Sequence, residues 1–146
     1  MDSLSIMRPL VLASRATAPV ISPDGRSVAY TARESGTNEI YVQSLVGSGR
    51  RARVSVEGGT EPRWAPNGKA VFYRTSSRLI EATLNTALDV TRRDSLFVDN
   101  FDRSPSLQRQ NWDVMPSGQE FLMVRWRSPN VVSMVVNWRR LIDAKK

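Results

Sequence analysis

The sequence predicts an all-β fold built from repeated units of short strands. Three observations predict it. A stretch of the chain recurs 43 residues downstream, each copy carries a Pro-x-Gly turn at the same place, and β-branched and aromatic residues crowd both sides of that turn.

The repeat is direct. TAPVISPDGRSVAY (17–30) aligns without a gap on TEPRWAPNGKAVFY (60–73), with six of fourteen positions identical, among them Pro23/Pro66, Gly25/Gly68 and Tyr30/Tyr73. A third copy, WDVMPSGQEFLM (112–123), sets Pro116 and Gly118 where Pro66 and Gly68 stood, 50 residues on. The seven additional residues fall in 101–111, where FDRSPSLQRQN is polar and aperiodic. Short strands at a period of about 40–45 residues are the signature of a β-propeller, in which each unit is one four-stranded blade.

Each element follows in order. MRPLVLAS (7–14) reads as an orphan outer strand. The first blade, 17–56, runs through the Pro-Asp-Gly turn into SVAYTAR, then NEIYVQSL (38–45) and ARVSV (52–56). The second, 60–100, repeats this with AVFYRTS, SRLIEATL (77–84) and DSLFVDN (94–100). The third, 111–138, is incomplete: EFLMVRW and NVVSMVVNW (130–138) follow its turn, and no fourth strand does. A tail, 139–146, remains, and WRRLIDAKK (138–146) could close as a short helix. Asp-Gly and Asn-Gly suit tight hairpins because both residues tolerate positive φ. The expected architecture is therefore a partial β-propeller of about three four-stranded blades.

Composition narrows the function. The chain has no cysteine and no histidine, which removes thiolate chemistry, the usual catalytic triads and the commonest general base and metal ligand. No acidic residues cluster at ligand spacing, so neither a metal nor a cofactor is expected. The net charge is +7, but the 18 Arg and 3 Lys are spread along the chain, which argues against a nucleic-acid stripe. No run approaches the ~18 apolar residues of a membrane span. The N-terminus, with Asp2 and Arg8, does not read as a signal peptide, and the compartment is left open.

On these residues the chain resembles a known family. ISPDGRSVAY (21–30), NEIYV (38–42) and GGTEPRWAPNG (58–68) look like the WD40-like repeat of TolB-type propellers. LFVDNF, DVMPSGQEFLMV and VVNWRRL (135–141) are similar to the end of the C-terminal propeller of bacterial serine/threonine protein kinases. The resemblance spans roughly residues 7–142 and implies a non-catalytic protein- or ligand-binding module, the terminal part of a larger sensor or kinase-linked propeller. The alternative is a truncated, non-catalytic part of an enzyme polypeptide, either such a kinase or a prolyl-oligopeptidase-type peptidase, whose propeller uses similar repeats. Neither kinase catalytic motifs nor a G-x-S-x-G elbow occurs in the chain.

Three residues are candidates for a binding surface. Glu61 and Arg63 lie on GGTEPRW (58–64), a crossing between blades that in propellers feeds the central channel; a local salt bridge is the plainer explanation. Trp126, between Arg125 and Arg127, suits an exposed interface anchor or a rim residue covering its blade. Asp24, Asn67 and Ser117 are assigned to turn geometry, and Tyr30, Tyr41, Trp64, Phe72, Tyr73, Trp112 and Phe121 to packing between blades. Three blades form an open arc whose first and last faces are expected to be free. A protein partner would then dock there, or the chain would self-associate through its open blade edges. Two copies could close a six-bladed ring, MRPLVLAS of each completing the last blade of the other.

Overall fold

The computed structural model describes residues 12, 15–34, 36–103 and 110–125, and the backbone of 131–136. All regular structure among them is β-strand. Blade 1 contains β1 (Thr17–Ile21), β2 (Ser27–Ala32), β3 (Glu39–Ser44) and β4 (Arg51–Arg53), hydrogen-bonded in that order. Blade 2 contains β5 (Thr60–Trp64), β6 (Ala70–Arg74), β7 (Arg78–Leu84) and β8 (Val90–Val98). Blade 3 contains β9 (Trp112–Val114), β10 (Glu120–Arg125) and β11 (Val131–Val136). Every strand pairs antiparallel with its neighbour. The chain is an all-β, partial β-propeller.

The inner hairpins are built alike in all three blades. The amides of Gly25, Gly68 and Gly118 each donate to the carbonyl three residues back, on Ser22, Ala65 and Met115, at 2.8 Å. Only the glycine of each turn has positive φ, at 71°, 69° and 69°. The turns are therefore not the doubly positive type that Asp-Gly and Asn-Gly favour. Pro takes the first corner and a left-handed Gly closes the hairpin. The side chain before Gly fastens the start of the next strand. Asp24 Oδ1 accepts from the Arg26 amide (3.0 Å), Asn67 Oδ1 from Lys69 (2.9 Å) and Ser117 Oγ from Gln119 (3.3 Å). Any short side chain with an acceptor suffices, which is why Asp, Asn and Ser alternate there. The Ser22 hydroxyl, donating at 2.6 Å, holds the Asp24 carboxyl below its usual range.

Strand alternation sends successive side chains to opposite neighbours. Ala29, Ile40, Val42 and Val54 of blade 1 meet Trp64, Val71, Tyr73, Ala82 and Leu84 of blade 2. Phe72, Leu79 and Leu96 on the other side of blade 2 meet Trp112, Phe121 and Met123 of blade 3. Phe72 and Phe121 stand edge to face, 5.0 Å apart, so these aromatics cement blades together. The Trp64 indole N–H ties blade 2 to blade 1 through the Val20 carbonyl (3.0 Å).

Some boundaries differ from expectation. The strand expected over 52–56 pairs only at Arg51–Arg53, because Val54 and Ser55 turn inward, buried, to begin the crossing to blade 2. The strand expected over 94–100 begins earlier, at Val90, lengthened by its pairing with Thr83 and Leu84 across a register shift. The first face of the arc is not bare: Val28, Tyr30, Ala32 and Tyr41 are buried, and Leu12, Ala16 and Leu45 pack on them. The orphan strand 7–14, apart from Leu12, and the tail helix 138–146 lie outside the described residues.

Candidate functional site

Glu61 and Arg63 stand on β5, whose pairing with β6 slips between Thr60 and Arg63. Glu61 sits in that bulge with φ 53°, and its repeat equivalent, Ala18, repeats the strain with φ 51° in the bulge of β1. The bulge turns the Glu61 side chain inward, where it is only 3% exposed. Its Oε2 lies 3.3 Å from Arg74 Nη1. Burial pushes the Glu61 carboxyl above the usual glutamate range, and the charge of Arg74 opposes the rise.

Arg74 is the centre of this cluster and is fully buried at the end of β6. Its Nε and Nη2 grip the Asp99 carboxylate at 2.6 and 2.9 Å. Nη2 also donates to the Phe101 carbonyl (3.1 Å), and Nη1 to the Asp102 carbonyl (3.2 Å) and Asn111 Oδ1 (3.0 Å). Arg103 adds a second cation 2.8 Å from Asp99 Oδ2; burial, then the like charge of Arg74, lowers its proton affinity. Glu61 apart, these partners belong to the passage from β8 to β9, so the guanidinium holds the long crossing onto blade 2.

Arg63 is placed differently. Its Nε is 3.0 Å from Asp113 Oδ1, and Nη2 donates to the Trp112 carbonyl (3.2 Å), both on β9. Arg63 thus joins blade 2 to blade 3, and Glu61 braces the crossing behind it. Trp126 lies outside the described residues. Arg74 is not among the residues singled out from sequence. Its signal is a lone charge closing the apolar strand AVFYR, where the first repeat has Thr31.

Two further features are open to solvent. One is an apolar spot at each end of the arc, although most of the first face is covered by Leu12, Ala16 and Leu45. Ile21 and Trp64 are repeat equivalents, yet Ile21 is 63% exposed and Trp64 6%, because blade 1 covers Trp64. Ala29, Phe72 and Leu122 are equivalents on the opposite side; the first two are fully enclosed and Leu122 is 37% exposed. The other is a groove of about 840 Å³ between blades 1 and 2, on the side of the inner turns. Among the described residues no group of three or more His, Cys, Asp or Glu side chains is placed to hold a metal ion. No helix there is long and apolar enough to cross a membrane.

No protein-family model matches the chain, and no curated protein matches it significantly. Solved structures do. TolB from Acinetobacter baumannii superposes with a TM-score of 0.59 at 23% identity, over 83% of this chain and 30% of that one. A TolB-designated protein from Agrobacterium tumefaciens gives 0.55 at 16%, over 81% and 44%. The fold is TolB-like. An oligogalacturonate lyase from Vibrio parahaemolyticus gives 0.53 at 10%, over 77% and 31%, so enzymes share this architecture as well. The chain spans less than half the length of each of these three proteins.

Proposed function

We propose that the chain is a non-catalytic, protein- or ligand-binding propeller module, the terminal part of a larger sensor or kinase-linked propeller, which docks a further blade on its open faces. The observation that carries this reading is the Ile21/Trp64 pair. This repeat position is enclosed in blade 2, where blade 1 sits on it, and open in blade 1, where no blade precedes it among the described residues. An apolar side chain left open at a position the repeat otherwise buries marks an interface. Leu122 marks the other end in the same way.

The further blade belongs to the rest of a parent polypeptide or, when the chain is alone, to a second copy. In this reading Glu61 and Arg63 brace the crossing, and Trp126 serves as an anchor on the third unit. The kinase link draws its support from the likeness of LFVDNF, DVMPSGQEFLMV and VVNWRRL to kinase propellers.

Sedimentation velocity of the purified chain at micromolar concentration tests the proposal. Self-association is expected, and an Ile21→Glu/Leu122→Glu variant should shift the population toward monomer while keeping its β-sheet spectrum. A monodisperse, cooperatively unfolding wild-type monomer, or association indifferent to both substitutions, contradicts it.

A further inference from the structure

The groove between blades 1 and 2 has both of its walls in this chain, so its occupancy is independent of any docking of further blades. One wall comes from the β1–β2 turn and the β3–β4 hairpin of blade 1. The other comes from the β5–β6 turn and the β7–β8 hairpin of blade 2. Trp64 and Leu84 line it on the apolar side, and Val46, 46% exposed, lines it from the β3–β4 hairpin. Ser48 and Thr86 supply hydroxyls, whereas those of Ser22 and Ser44 are donated to Asp24 and to the Val46 carbonyl.

The charge on the lining is unequal. Three lining residues are basic, Arg26, Arg50 and Lys69, and one is acidic, Asp24. The Asp24 carboxylate already accepts from the Ser22 hydroxyl and the Arg26 amide. Arg50 is paired with Asp89. Arg26 and Lys69 are both exposed, and among the described residues neither side chain forms a salt bridge, although the Arg26 charge acts on the Asp24 carboxyl beside it. They are also the same position of the repeat, the residue after the turn glycine, and so present one base from each wall. The third copy has Gln119 there.

We infer that this groove is a docking site for an extended peptide segment carrying Asp or Glu side chains. The volume falls in the ~300–1,000 Å³ range of sites that enclose whole ligands rather than single ions. The basic pair faces the acidic side chains, the Ser48 and Thr86 hydroxyls meet the peptide backbone, and the exposed Val46 takes the apolar parts of the segment.

Fluorescence anisotropy with a short labelled peptide of alternating Glu and Ser tests this on the full chain, with the Lys-Ser peptide as comparison. The Glu-Ser peptide should bind saturably and the Lys-Ser peptide should not. Arg26→Glu/Lys69→Glu should weaken binding about tenfold, since two exposed attractions become repulsions. Arg53→Glu/Arg92→Glu makes the same change in net charge outside the groove and should leave affinity within about twofold. Thermal unfolding of both variants checks that each is folded. No saturable binding, equal binding of the two peptides, or equal weakening by the two double variants would overturn the inference.

Discussion

The crossing from blade 1 to blade 2 takes residues 54–59 and is held by a buried carboxylate, whereas that from blade 2 to blade 3 takes residues 99–111 and is held by a buried guanidinium. In the short crossing Glu39 accepts from the Ser55 hydroxyl and, at 3.2 Å, from the Gly58 amide, while Ser55 Oγ accepts from the Ile40 amide at 2.7 Å. In the long one Arg74 donates to Asp99, to two backbone carbonyls and to Asn111. The difference follows from what each passage turns inward. The short loop turns inward the Gly58 N–H, which needs an acceptor and finds it in Glu39, while its Val54 carbonyl accepts from Arg93 Nε at 2.9 Å. The longer loop presents the Phe101 N–H to Asp99 and, in addition, two carbonyls, both of which the several donors of the Arg74 fork reach. Two crossings between equivalent strands thus reach the same end with opposite charge, and the extra length of the third repeat is matched by the one buried Arg among the described residues.

The largest break in this comparison should come from Arg74→Met. It leaves Glu61 buried without its paired cation, Asp99 with Arg103 alone and the Phe101 carbonyl without its donor, a loss of about 3–5 kcal/mol. Urea unfolding monitored by circular dichroism measures it, and a loss under about 1 kcal/mol would show that Arg103 alone suffices. Gly59→Ala should be next, at about 1–3 kcal/mol. A Cβ there would lie 2.8 Å from Ile40 Cγ1 and 3.0 Å from both Ser55 Cβ and Tyr73 Cδ2. The short crossing has no slack to relieve this contact, and an unchanged midpoint would show that it does.

The smallest effect concerns pH. The carboxyl of Glu61 is raised in the folded chain, so the native state holds its proton more tightly than the unfolded one. Its contribution is most favourable below the unfolded glutamate range and declines as pH rises through the elevated value. Glu61→Gln should flatten that part of the stability profile. A wild-type profile that instead rises because of Glu61 across this range would reverse the assignment.

Much of the frame was legible in the sequence because its determinants are local. The Pro-x-Gly turns and the alternation of SVAYTA and AVFYR act within a few residues, and the 43-residue repeat confirms each reading with the next. The braces were not legible because they break the repeat. Arg74 replaces Thr31, and its anchor Asp99 is 25 residues away across two strands. Nothing in the spacing of GGTEPRW announces the bulge that buries Glu61, since the same strained φ occurs at Ala18, a residue of quite different character. The basic pair at Arg26 and Lys69 was visible as a repeated residue, yet its position across a groove depends on how neighbouring blades stack. Pro23 lies 3.8 Å from where a Cβ on Gly68 would be, and Pro66 3.4 Å from the same point on Gly118.

The central claim is that each crossing is pinned by its own buried charge and not by the general packing of the arc. Amide hydrogen exchange read at two residues tests it most directly: Gly58, held by Glu39, and Phe101, held at 3.3 Å by the Asp99 carboxylate that Arg74 fixes. In Arg74→Met, under conditions where the chain stays folded, the Phe101 amide should lose its protection while that of Gly58 keeps its wild-type rate. Equal loss at both amides, or no change at Phe101, would contradict the claim.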